Sequence, residues 1–150
     1  MLAIPAKARR WIRYALLAGA LVSAYFLNVE VQSYLGRRAL AETQLVSLPL
    51  SDALAQAKAR AKPVLVDVSA IWCPTCRSLD REVFANPEVR RRLKAGYLFS
   101  RLEYESDDGQ AFLKEHAASG FPTLWLLDGE GRVLKRLSVT LDPQAFLQQL

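Results

Sequence analysis

The chain has little of what binds metals or staples small domains: among its 150 residues there are two cysteines and one histidine. A tetrahedral zinc site takes about four ligands, and Cys73, Cys76 and His116 fall short of that number. No metal and no organic cofactor is expected. Two cysteines also cannot build a disulfide framework, because a bridge across two intervening residues closes a very small loop, where constraint of the unfolded chain stabilises least. Internal repeats and low-complexity tracts are missing too. Charge of one sign is scarce outside the N-terminus: of the net +5, +3 falls in residues 1–30 and +2 is spread over the remaining 120. A body so close to neutral is a poor nucleic-acid binder, and that class is set aside.

What the sequence does have is a long uncharged run. The basic stretch KARRWIR leads into YALLAGALVSAYFLNV, Tyr14 to Val29, a pattern that inserts into a membrane with its basic end on the cytoplasmic side. A span of about 20 residues is reached when Trp11 and Val31 are included and Arg13 snorkels. Val22-Ser23-Ala24 resembles a small-residue cleavage site, whereas continuation of the run through Phe26, Leu27 and Val29 favours a retained anchor. The retained anchor is the preferred reading, with a cleaved signal and a buried helix as alternatives. Residues 1–30 are thus assigned to an anchor, 31–48 to a linker ending in a first short strand, and 49–150 to the folded domain.

Within that domain, LSDALAQAKARAK has a helical pattern with Ser51 as N-cap and Pro63 as its end, and PVLVDVSA is a β-branched run suited to a buried central strand. A helix follows the cysteines, with a break near Asn86-Pro87. YLFSRLEYE is expected as a strand, DDGQAFLKEHAAS as a helix, TLWLLD and RVLKRLSV as a hairpin, and DPQAFLQQL as a closing helix. Alternation followed by a hairpin implies an α/β fold with a mixed sheet covered on both faces.

The stretch SAIWCPTCRS holds both cysteines. Cys73 falls where a strand gives way to a helix, so backbone N–H groups favour its thiolate, and Cys76 one turn later lies within reach of it. A structural bridge and a metal site remain as alternatives to a redox pair, which the placement favours. Asp67, six positions before Cys73, interrupts the buried strand; an unpaired carboxylate there carries a raised pKa and is suited to exchanging a proton with Cys76. The alternative is an aspartate satisfied by local hydrogen bonds or a lysine. Pro122 in GFPT, ahead of an apolar strand, is a candidate cis-proline, with trans as the base expectation. Asp80, four residues after Cys76, is read as part of a solvated helix face, with proton transfer as its alternative. His116 and Arg90–Arg92 read as surface, Trp125 and Phe99 as core.

KPVLVDVSAIWCPTCRSLDREVFANPEV and GFPTLWLLDGEGRVL together resemble the thioredoxin superfamily, most closely the C-terminal thioredoxin-like domain of DsbD-type thiol:disulfide interchange proteins. The resemblance covers about residues 50–150. It implies a thioredoxin-like fold with Cys73 as nucleophile, Cys76 as resolving thiol, Asp67 as buried acid and Pro122 as a cis-proline beside the disulfide. It further implies substrate contacts from Trp72, which shapes the surface around Cys73, from Pro74 and Thr75, the dipeptide between the cysteines, and from Phe121, whose backbone would receive an extended partner segment. Pro74-Thr75 departs from the common Gly-Pro, so the redox potential is not inherited, and Ile71 stands where many relatives carry a charge.

The function expected is a membrane-tethered, exported protein thiol-disulfide oxidoreductase acting as a reductant. Single-pass insertion in the inner membrane would place the catalytic domain on the periplasmic side. Its partners would be disulfide-containing exported proteins and a membrane thiol that donates electrons. A disulfide oxidase or isomerase of the same fold is one rival, and a noncatalytic thioredoxin-fold binding or assembly module is another.

Overall fold

The computed structural model describes residues 6–150, with side chains from residue 8 onward. The start of the expected anchor, residues 1–5, and the side chain of Lys7 lie outside the described residues. Helix α1 runs unbroken over Ala6–Thr43, a length of 38 residues. Residues 31–43, expected as a tether, are therefore helical. Their small side chains interrupt the hydrophobic pattern but serve as a packing face: Ser33, Gly36, Ala39 and Thr43 are all buried. The helix stops where the Thr43 Oγ1 donates to the Leu40 carbonyl at 2.7 Å and accepts from Leu45 N at 3.2 Å, and Gln44 turns the chain away at φ 52°.

The domain continues with α2 (Leu50–Arg60), β1 (Val64–Ser69), α3 (Pro74–Ser78) running into a π-helical turn (Leu79–Phe84), α4 (Pro87–Gly96), β2 (Leu98–Glu103), α5 (Asp107–Glu115), β3 (Thr123–Leu127), β4 (Val133–Leu137) and α6 (Pro143–Leu147). Asn86, whose side chain accepts from Glu88 N and Val89 N, caps α4 at the expected break. Ser51 is not the cap of α2: Pro49 takes that position with extended backbone, no side chain caps the helix, and Ser51 falls in its first turn.

The sheet has four strands in the order β2-β1-β3-β4, with β1 parallel to β2 and antiparallel to β3, and β3 antiparallel to β4. The strand expected before residue 49 is reduced to a single bridge between Ser47 and Phe99, because Pro49 offers no N–H and α2 begins at Leu50. Each strand of the core divides its side chains between two layers. Val64, Val66 and Val68 pack with Ala53 and Ala57 of α2 and Phe112 and Leu113 of α5. On the other face, Leu65 packs with Leu79, Val83, Phe84, Val89 and Phe146. Asp67, one strand period from Leu65, points to this second face, the one covered by α3 and the π turn.

Candidate active site

β1 ends at Ser69, the chain bends, and Cys73 becomes the N-cap of α3 with extended backbone, held by its N–H to the Ala70 carbonyl at 3.0 Å. Pro74 in the first turn has the fixed φ a helix start requires. Cys76 follows one turn later, and the two sulfurs are joined in a disulfide with Cα atoms 5.3 Å apart. Of the pair, Cys73 keeps some exposure at 6% and Cys76 is sealed at 1%. The reachable sulfur is therefore Cys73, and it already accepts a hydrogen bond from Cys76 N at 3.1 Å. An N–H aimed at that sulfur stabilises negative charge on it when the bridge opens.

Around the cysteines lies an apolar rim. Trp72 and Phe121 stack edge to face at 5.4 Å, and Tyr104 lies 4.4 Å from Phe121. Trp72 Nε1 donates to Glu105 at 3.3 Å, while Pro74 and Thr75 are exposed beside Cys73. The Phe121–Pro122 peptide bond is cis, and Phe121 packs in the same cluster as both cysteines. Tyr104 is a rim residue the sequence reading did not single out.

Behind the disulfide is a buried charge network. Asp67 is fully buried, and neither of its oxygens has a hydrogen-bond partner. The Arg101 guanidinium, opposite it on β2, approaches to 3.6 Å. That guanidinium is committed elsewhere: Nη1 donates to both oxygens of Asp80 at 2.8 and 2.9 Å, and Nη2 donates to the Ser69 hydroxyl at 2.8 Å. Two buried carboxylates thus share one cation, and Asp80 has the bonds. Burial pushes the Asp67 carboxyl up to about 7, with Arg101 opposing and Asp80 and Glu103 adding to the rise. Asp80 is also raised by burial, and Arg101 pulls against that rise. The alternative of an Asp67 satisfied by local hydrogen bonds or a lysine does not describe this site.

Asp80 itself departs from expectation. It is 1% exposed rather than part of a solvated face, because it follows the sealed Cys76 by four residues and so shares its buried side of the helix, where the Arg101 guanidinium meets it. Arg101 was missed altogether. Its signal was a charge at a core-facing position of an apolar strand adjoining the strand of Asp67. Glu103, two residues further on, accepts the N–H of Ile71 at 3.1 Å, fixing the residue that precedes Trp72 and Cys73. His116, by contrast, stacks on Trp125 at 5.4 Å at the far end of α5 and takes no part.

A family model described as Thioredoxin-like matches residues 46–129. The chain is 34% identical over 157 residues to the thiol:disulfide interchange protein DsbD of Klebsiella pneumoniae, covering 95% of this chain and 25% of that protein. The Escherichia coli K12 protein of the same name is 32% identical over 155 residues, covering 95% and 27%. The chain therefore spans about a quarter of the length of these relatives. Among solved structures, a thioredoxin from Thermus thermophilus superposes with a TM-score of 0.63 at 26% identity, covering 70% of this chain and 83% of that one. The oxidised C-terminal domain of DsbD from Neisseria meningitidis gives 0.56 at 23% identity, covering 67% and 89%, and so speaks to the fold.

Proposed function

The chain belongs to the thioredoxin-like family, and from that premise we propose that it is a membrane-tethered, extracytoplasmic thiol-disulfide oxidoreductase that reduces disulfides in partner proteins. The observation that carries the reading is the combination on one face of β1: a Cys73–Cys76 disulfide at a helix start and, on the strand feeding it, a buried carboxyl held near pH 7.

In the reduced protein the Cys73 thiolate attacks a partner disulfide. One partner sulfur leaves as a thiolate, and a mixed disulfide forms at Cys73. Cys76 then loses its proton and attacks the Cys73 sulfur, which restores the Cys73–Cys76 bond and frees the second partner thiol. Asp67 is the proton acceptor for Cys76: a group with pKa about 7 both takes up and returns a proton at neutral pH. The sealed position of Cys76 reserves it for this second step. The Trp72–Phe121 rim, with the cis Phe121–Pro122 backbone and the exposed Pro74 and Thr75, forms the contact surface for an extended partner segment. A membrane thiol donor returns the disulfide to the dithiol.

The anchor is the first part of α1. Trp11 to Val31 spans about 31 Å of helix, close to the thickness of a bilayer core. Leu16, Leu21 and Phe26 along it are 69%, 66% and 62% exposed, left uncovered by the described residues of the chain. Lys7, Arg9, Arg10 and Arg13 assign that end to the cytoplasm and the domain to the other side.

The test is a trap. Cys76→Ser should accumulate a covalent partner complex that added thiol dissolves, and Cys73→Ser should form none; no complex from Cys76→Ser, or the same complex from Cys73→Ser, refutes the mechanism. Titration of the pair in defined thiol buffers fixes the direction. A potential near about -270 mV supports a reductant, and one near about -120 mV would make it an oxidant.

A further inference from the structure

The second half of α1 is not a free tether. Gln32 Oε1 accepts from Arg77 Nη1 at 2.5 Å, and Glu42 pairs with Arg81 at 3.9 Å. Between them the buried positions Ser33, Gly36 and Ala39 face α3 and the π turn. Gly36 makes the closest approach: a Cβ at this position would overlap the Ile71 carbonyl. Ile71 is thus held from two sides, by Gly36 at its carbonyl and by Glu103 at its N–H. It lies two residues before Cys73.

The same helix carries the exposed apolar run. No proline interrupts α1 between Ala6 and Thr43, and sharp kinks arise chiefly at proline or at local breaks in the ladder. Gly36 follows Val31 by five residues, about 7.5 Å along the axis. Arg77 engages α1 at Gln32 and Arg81 engages it at Glu42, so the helix that starts at Cys73 runs away from the apolar run and its cysteine end is the nearer one.

Resting on the anchor reading above, we infer that Gln32–Thr43 is a strut holding the Cys73–Cys76 centre at one height and orientation over the bilayer, so that it exchanges with thiols presented at the membrane surface in preference to thiols in solution. A freely diffusing partner gains nothing from such an arrangement. A flexible linker would serve it equally.

The full chain reconstituted in vesicles tests this with two reductants, a phospholipid bearing a thiol on its headgroup and glutathione in solution. With the lipid, one thiolate attacks the Cys73 sulfur, the disulfide breaks with Cys76 leaving as thiolate, and a second lipid thiol attacks the mixed disulfide to free Cys73. Two lipid thiols become one lipid disulfide, and their protons pass to the cysteines or to solvent. Reduction is followed through the fluorescence of the tryptophans, Trp72 being next to the disulfide. Inserting six Gly and Ser residues between Val31 and Gln32 leaves the docked face intact but severs it from the run. This should lower the lipid-thiol rate at least tenfold and leave the glutathione rate unchanged. Gly36→Leu, which forces the docked face off Ile71, should lower the lipid-to-glutathione ratio in the same direction. A chain that floats with vesicles and keeps its ratio after the insertion overturns the strut alone. A chain that does not float overturns the anchor and the strut with it.

Discussion

The two faces of β1 solve opposite problems with the same six residues. Val64, Val66 and Val68 meet other apolar side chains, and their burial is simply favourable. Leu65, Asp67 and Ser69 meet a face that holds two carboxylates and one guanidinium, all three at or below 4% exposure. Burying such a set stabilises little, because desolvation offsets the Coulombic attraction, yet losing one member leaves the rest uncompensated. The first face makes the domain stable. The second makes it reactive, at some expense in stability.

That contrast can be broken most forcefully at Arg101. Arg101→Met leaves Asp67 and Asp80 without their cation and should destabilise the domain by about 3–5 kcal/mol in urea denaturation at pH 8; the loss should shrink at pH 5, below the value of about 7 to which burial pushes Asp67, where that carboxyl is protonated. An equal loss at both pH values would show that the arginine acts by packing alone.

Asp67→Asn should act in the opposite sense. Its folded pKa, about 7, lies above the ordinary aspartate value of 3.8, so the native state binds more protons through that window. Stability therefore falls as pH rises from about 4 to 7, and the penalty is complete above 7. It amounts to at most about 4 kcal/mol, and the asparagine variant should recover part of it at pH 8 and none at pH 3.5, while resolution of the mixed disulfide slows. On the apolar face, Val66→Ala should cost about 2 kcal/mol with no pH dependence, measured in the same titration. The smallest effect belongs outside both faces: Lys58→Ala, which removes the exposed pair with Glu130 at 3.8 Å, should change stability by less than about 0.5 kcal/mol.

Much of this was legible in the sequence wherever one residue violated its surroundings. Asp67 in a β-branched run and Cys73 and Cys76 at a strand-to-helix junction stand out in one dimension, and the alternation of elements gives the mixed sheet. Pro122 could be named but not assigned an isomer, because the cis form depends on tertiary context. Arg101 and the burial of Asp80 were harder to read: Asp80 was named but placed on a solvated face, and the cation it bonds comes from a distant segment that reaches it only when β2 pairs with β1. The same holds for residues 31–43. Ser33, Gly36, Ala39 and Thr43 look like interruptions until α3 lies against them.

The sheet's two edges carry a last consequence. Outside β2, Leu48 N donates to the Phe99 carbonyl at 3.0 Å and the Ser47 hydroxyl accepts from Arg101 N at 2.9 Å, which occupies two of the groups a foreign strand would seek. At the other border, the exposed β4 places Lys135 and Arg136 along its length, and charge on an edge discourages pairing. Each border of the sheet thus carries its own obstacle to pairing with a strand of another molecule, a covering segment on one side and charge on the other.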